Sequence, residues 1–155
     1  MGGTHSATHR RGWSAPVAKI SLAAWFFGNV YEGAVGLPQL LAYARSERPP
    51  GLLTAGSPVR YYVPVAPAAL ISAGISLVRD WRAGEDPRLV ATRAASILGA
   101  LALTGYLVRS VNVPLLKASK PFTDLERADL CRRWHTANAV RLTLVGTALA
   151  LQPSR

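Results

Sequence analysis

The feature that most constrains this chain is where its charges are missing. Between Lys19 and Arg45 only Glu32 is charged, and between Arg60 and Arg79 nothing is. The segments between Arg93 and Arg109 and between Arg141 and Arg155 carry no charge either. A helix crosses the bilayer core with roughly 20 mostly apolar residues, in a range of roughly 17–25. The first two stretches meet that length directly. The third meets it if its helix starts near Leu89 and Arg93 snorkels its long stem to the interface. The fourth must start near Cys131 and take His135, Asn138 and Arg141 in with it. The expected fold is therefore all-α, an integral membrane four-helix bundle with spans at about 17–43, 59–77, 89–111 and 130–151. A basic N-terminal tail (1–16) precedes this domain (17–151), and a short C-terminal tail (152–155) follows it.

Composition agrees. Half of the residues are hydrophobic and mean hydropathy is +0.18, which excludes a disordered chain. A net charge of +10 would suggest nucleic acid if the cations formed a face or stripe. Here they scatter over loops and span ends, so the expected partner is the lipid bilayer and not nucleic acid. Arg10 and Arg11 resemble the start of an export signal, but the following apolar stretch exceeds an h-region of about 7–15 residues and contains Asn29 and Glu32. It is expected to be a retained span. Lys and Arg are nearly balanced between the two sides, so the positive-inside rule does not decide orientation. Arg10 and Arg11 favour cytoplasmic termini in a multi-pass protein of a bacterial-type cytoplasmic membrane.

The connections have ordinary loop chemistry. Pro49, Pro50, Gly51, Gly56 and Pro58 mark the first, and Gly84, Asp86 and Pro87 the second. Thr123-Asp124-Leu125-Glu126 reads as a capping box, opening a charged interfacial turn that leads into the last span. Pro64 and Pro67 fall inside the second span, where a kink is expected.

Polar residues inside the spans are the most informative, because a charge near the bilayer centre costs about 2.5–3.5 kcal/mol and so faces the bundle interior and pairs. Trp25, Asn29 and Glu32 share one helical stripe, and Trp134, Asn138 and Arg141 repeat its spacing on the last helix with a cation in place of the carboxylate. Facing each other, the stripes make Glu32 and Arg141 candidate partners. His135 lies about 60° around the helix from Asn138. The third helix adds Tyr106, Arg109 and Asn112, and the second adds Arg60, Tyr61 and Tyr62. Simpler readings stand beside these. A buried Glu–Arg pair also fixes helix packing; Trp25, Trp134, Tyr61 and Tyr62 also suit the membrane interface; and Arg60, Lys117, Lys120, Arg132 and Arg133 also suit solvent or lipid headgroups.

Cys131 stands alone, which leaves no internal disulfide or thiolate cage. His135 has no second ligand at helical metal spacing, and no phosphate loop, dinucleotide fingerprint or nucleophile elbow occurs. A carboxylate, a His, arginines and asparagines in an apolar cavity suit proton abstraction with oxyanion stabilisation, without cofactor or metal. The candidate catalytic residues are Glu32, His135, Arg141 and Arg109. The candidate substrate-binding residues are Asn29, Trp25, Tyr62, Tyr106, Asn112, Trp134 and Asn138.

Asn112-Val-Pro-Leu, followed by Trp134-His135-x-x-Asn138-x-x-Arg141, resembles the pattern of the anthrone oxygenase-like family of small four-span membrane proteins. The resemblance covers mainly 109–141, with length and span number agreeing upstream. This chain has Leu116 where the family pattern often carries a second Asn. The resemblance implies a natural-product enzyme oxidising a polyketide-like aromatic substrate with O2 and no cofactor, and it carries over to Asn112, Trp134, Asn138 and Arg141. On this expectation Glu32 or His135 removes a proton from a small apolar substrate, and Arg109, Arg141 and the asparagines stabilise the enolate or phenolate. Reaction with O2 makes an oxygenase; the same site without O2 makes a cyclase or isomerase. The alternative from another class is a non-catalytic accessory or binding protein with a structural Glu–Arg pair. A homo-oligomer is compatible with each.

Overall fold

The computed structural model describes residues 13–43, 58–117 and 122–153. Arg10 and Arg11, the connection around Pro49 and Pro50, and Lys120 lie outside the described residues. Within them the chain is all-helical and forms no strand. Four rods run up and down. The first is α1 (Ser14–Tyr31), a π-helical turn (Glu32–Gly36) and α2 (Leu37–Tyr43). The second is α3 (Pro58–Arg82). The third is α4 (Pro87–Leu107), a π-helical turn (Val108–Asn112) and α5 (Val113–Lys117). The fourth is α6 (Asp124–Ala150). All four are longer than the apolar stretches alone suggest.

Both π turns have the same local cause. Pro38 and Pro114 each stand two residues beyond one, and the residue between donates its N–H five residues back, Leu37 to the Glu32 carbonyl and Val113 to the Val108 carbonyl. Proline has no N–H and its ring collides with the carbonyl four residues earlier. Widening the preceding turn displaces that carbonyl and lets the rod continue. Pro64 and Pro67 have no such turn, and α3 stays α-helical through both.

Helix starts are capped by local chemistry. Gly84, at φ 76, turns the chain after α3. The Asp86 carboxylate then accepts the Arg88 N–H at 2.9 Å, with Pro87 at the first position of α4. The expected capping box is present: Thr123 N–H donates to Glu126 Oε2 at 2.8 Å, and Glu126 N–H donates to Thr123 Oγ1 at 3.3 Å. It opens α6 itself, with no separate interfacial turn.

The rods close into a ring in which α1 packs on α3 and α6, and α4 packs on α6 and, most loosely, on α3. One apolar cluster joins Leu22 and Trp25 to Ala69, Ala73, Ile97, Ala100, Val145 and Ala148. Four of these are alanines with no exposed surface, which lets backbones approach closely, as helices do when packing in lipid. A second cluster joins Leu37, Leu107, Val111, Leu115, Trp134 and Ala137. The outside is apolar as well: Ile20 is 70% exposed, Phe27 65%, Ile71 64% and Leu98 64%. Two helical stretches, Arg60–Arg82 and Pro87–Leu115, are long and apolar enough to cross a membrane, and only 22% and 28% of their most apolar windows is buried. A core helix of a water-soluble protein would be mostly buried.

Arg93 corrects the snorkelling expectation. It is 1% exposed and turns inward, with Nη1 on Asp80 Oδ2 at 2.6 Å and Nη2 donating to Gln152 Oε1 at 2.6 Å and to Ser76 Oγ at 3.2 Å. Ser76 and Asp80 share one face of α3 at i, i+4. Gln152, expected in the C-terminal tail, is buried against them. With three acceptors inside, the guanidinium is better satisfied there than by stretching to an interface.

Arg93→Met alone is expected to destabilise the full chain by about 3 kcal/mol, because Asp80 loses its cation; the double variant R93M/D80L should recover most of that. Thermal unfolding in detergent reads both. The Thr123 hydrogen bonds hold the Glu126 carboxyl below its ordinary value. Their contribution to the first turn of α6 is fully present above the ordinary carboxylate pKa of about 4.3 and should disappear as pH falls through the lowered value. Amide exchange in that turn should quicken on acidification; Thr123→Ala, which leaves the main-chain N–H bond to Glu126, should weaken the pH response, and Glu126→Gln should remove it.

Candidate functional site

Between the two apolar clusters lies a polar layer. Helical geometry at 100° per residue puts Asn138 and Arg141 on the inner stripe of α6, and the same geometry at the end of α1 turns Asn29 and Glu32 toward them. All four are buried: Asn29 is 0% exposed, Arg141 3%, Asn138 4% and Glu32 7%. The expected partnership forms, with Arg141 Nη2 3.0 Å from Glu32 Oε2. Arg141 also donates through Nε and Nη2 to Asn138 Oδ1, at 3.1 and 2.7 Å, and through Nη1 to Thr104 Oγ1 at 3.4 Å. Asn138 Nδ2 donates to the Asn29 carbonyl at 3.2 Å. From α3, the Tyr62 hydroxyl lies 2.8 Å from Asn29 Oδ1 and 3.3 Å from Glu32 Oε2. One guanidinium and one carboxylate thus gather side chains from all four rods.

The two tryptophans bracket this layer. Trp25 belongs to the apolar cluster on one side and Trp134 to the cluster on the other, and the Arg141 guanidinium lies 5.9 Å from the Trp134 ring centre. Both are 3% exposed or less, which rules out the interface reading for them. Gly33 makes the close approach possible, because a Cβ there would stand 3.2 Å from Asn138 Nδ2 and 3.3 Å from Trp134 Cζ3.

Three expected site residues point elsewhere. Arg109 and Tyr106 are exposed. Measured from Thr104, which meets Arg141, they lie about 140° and 160° around the helix, on its outer face. His135 is also exposed and sets its ring edge-on to Trp134, with centroids 5.4 Å apart. It is about 90° from the middle of the Trp134–Asn138–Arg141 stripe, and the 60° offset from Asn138 understated that separation. Asn112 closes the second π turn, is half-buried, and has a buried Oδ1 without a hydrogen-bond partner among the described residues.

Sequence reasoning missed Thr104 and Gly33. Thr104 lies four residues after buried Ala100 and three before buried Leu107, on the inner face of α4, and that spacing was the available signal. Gly33 gave none, since its role depends on what α6 brings against it. Asn29 Nδ2 is buried and unpartnered among the described residues. A spare N–H donor beside a carboxylate is a group that a ligand oxygen can satisfy. Among the described residues no three His, Cys, Asp or Glu converge as metal ligands.

Compared with protein-family models, curated proteins and solved structures, the chain matches none.

Arg141→Lys is expected to keep the charge and lose the fork, since an ammonium cannot reach Glu32, Asn138 and Thr104 together in one plane. A loss of about 1–3 kcal/mol in thermal stability is expected, from the unsatisfied acceptors left behind, with secondary structure by circular dichroism unchanged.

Proposed function

We propose that this protein is a membrane-embedded enzyme that removes a proton from a small apolar, enolisable substrate and stabilises the resulting oxyanion. The observation that carries the reading is the buried Glu32–Arg141 pair with the unpartnered Asn29 Nδ2 donor beside it. Glu32 is the base. Its Oε2 is engaged by Tyr62 and Arg141, so Oε1 takes the substrate proton. Asn29 Nδ2 and the Arg141 guanidinium then supply N–H donors to the substrate oxygen as charge develops on it, and the low dielectric of the layer strengthens those contacts. His135 and Arg109, on outer faces, take no part in this step.

With O2 as oxidant, the carbanion formed at a ring methylene gives a hydroperoxide that loses water to leave a ketone. The net change is CH2 plus O2 to C=O plus H2O. This is the anthrone-oxidase-like reading, and the resemblance of Asn112, Trp134, Asn138 and Arg141 to that family's pattern supports it. Without O2 the same proton transfer serves a cyclisation or isomerisation.

The membrane setting is part of the proposal: four spans, with both termini on the cytoplasmic side. The outward apolar surface supports it. Spacing of exposed aromatics supports it too: Trp13 and Tyr31 bound α1, and Tyr61 and Trp81 bound α3. At 1.5 Å per residue these pairs are about 27 and 30 Å apart, close to the hydrocarbon thickness of about 30 Å with aromatic belts at both faces.

A structural reading is favoured by one observation, the recurrence of a buried Arg–carboxylate pair at Asp80–Arg93. Glu32→Gln separates the two. Gln keeps an oxygen for Tyr62 and Arg141 but is no base. The enzyme reading expects a folded, normally abundant variant whose turnover of an anthrone-type substrate, followed as O2 uptake or product absorbance, falls at least 100-fold. Unchanged turnover, or wild-type protein inert toward such substrates, would sink it.

A further inference from the structure

Three of the four seams between neighbouring rods are filled near the polar layer, each by a large side chain seated on a glycine. In the α1–α3 seam the Tyr61 ring covers Gly28, where a Cβ would stand 2.5 Å from it, and its hydroxyl donates to the Ala24 carbonyl at 2.8 Å. Between the first rod and α6, Trp134 closes on Gly33 and Phe26 on Gly146. In the α4–α6 seam Leu144 meets Gly99, 3.0 Å from the position of a Cβ. The α3–α4 seam has no such filler among the described residues. Gly105, beside it, is exposed, and a Cβ there would meet nothing within 4 Å.

That seam is closed at one end and open at the other. Arg93 and Thr104 mark the inward face of α4, through their bonds to Ser76 and Arg141. Gly99 lies about 120° from Arg93 toward α6, whereas Val90, Ile97, Leu101 and Val108 lie about 40–80° to the opposite side, toward α3. Although these four share one edge, Val90 and Ile97 are 7% and 6% exposed, and Leu101 and Val108 are 41% and 45%. The facing edge of α3 changes in the same sense. Leu77 and Leu70 pack against the apolar cluster, but Val63, another seven residues toward the start of α3, is 59% exposed. The Arg93–Ser76 contact sets the antiparallel register, so 101–108 stands level with 61–68, each 8–15 residues away from it. Thr104 of α4 and Tyr62 of α3 lie within that level, one bonded to Arg141 and the other to Glu32. The opening stands directly outside the Glu32–Arg141 layer.

We infer that this opening is a lateral portal, through which an apolar substrate passes from the hydrocarbon of the bilayer to Glu32 and Asn29. Its rim offers Val63, Leu101, Val108 and the bare backbone at Gly105. A molecule dissolved in lipid enters there without displacing a seated side chain, as each of the other seams would require. Apolar surface moving from hydrocarbon to an apolar rim meets little desolvation cost, whereas a charged molecule would first lose its water. At the inner end the unpartnered Asn29 Nδ2 offers a donor to an oxygen of the arriving molecule. The inference rests on the apolar substrate and membrane setting of the proposed function; it concerns the route of entry and not the chemical step.

The test follows entry with a probe that undergoes no reaction, bromonaphthalene, a heavy-atom quencher of tryptophan fluorescence. The full chain carrying W13F/W81F keeps Trp25 and Trp134, the buried pair that brackets the layer. In phosphatidylcholine vesicles, stopped-flow addition of the probe is expected to quench them. Adding G105F or V108F should slow that quenching at least about tenfold with thermal stability unchanged, because each new ring fills open space. A102F, about 180° from Arg93 on the outer face of α4, should leave the rate as it is. Absence of quenching in the W13F/W81F chain, undiminished rates in G105F and V108F, or equal slowing by A102F would overturn the inference. Turnover plays no part in this readout. A chain whose probe entry is slowed by both plugs, yet whose Glu32→Gln variant is as active as wild type, keeps the portal and loses the proposed chemistry. Active protein whose entry rate ignores both plugs keeps the chemistry and loses the portal.

Discussion

The buried contact between Arg141 and Glu32 is the interaction on which the rest of the bundle depends. Both groups are almost fully removed from solvent, where an uncompensated charge costs several kcal/mol, about 3–5 when one partner is deleted. The structure meets that cost by converging on one guanidinium. Glu32 comes from the end of α1, Thr104 from α4 and Asn138 from α6 itself, while Tyr62 joins from α3 through the carboxylate. Apolar packing brings rods together in any register that matches small residues to large. The polar layer selects one, because a shift by a single turn would leave several buried donors without acceptors.

Polar and apolar layers alternate along the bundle. The cluster around Trp134 lies above the Arg141 layer and the cluster around Trp25 below it, and the Arg93–Asp80–Gln152 layer follows toward the termini. Arg93 and Arg141 are separated by about 16 Å along the axis, judged from the eleven residues between Arg93 and Thr104 at 1.5 Å each. The upper layer gathers four rods, whereas the lower one joins α3, α4 and the end of α6. Only the upper layer includes a residue of a π turn, with Glu32 opening the first one. Wider turns of this kind redirect side chains that a regular helix would aim elsewhere. That distinguishes the Glu32 layer from the Arg93 layer, whose residues stand on regular α-helix.

Much of this was legible from residue order. Charge-free stretches gave the helices and their number, the spacing of Trp25, Asn29 and Glu32 against Trp134, Asn138 and Arg141 gave the paired stripes, and Thr123 to Glu126 gave the start of α6. These depend on periodicity and local hydrogen bonding, which neighbours along the chain carry. Arg109, Tyr106 and His135 were misplaced for one reason: each is polar or aromatic and near the site in sequence, but its angle around the helix faces outward. Arg93 was misplaced for the converse reason. Its acceptors, Ser76, Asp80 and Gln152, come from other helices and a supposed tail, so no local pattern announced them.

By itself the sequence determined that the chain forms apolar helices, where they start, and which residues share an inward stripe, because helical periodicity and capping are local properties. Tertiary structure alone decided which rods are neighbours, that the α3–α4 seam is the loosest, that Gly33 admits Trp134 and Asn138, and that Arg93 is a core residue. Those outcomes depend on the relative rotation and height of whole helices, set by summing many weak contacts across the bundle. No single segment contains that sum.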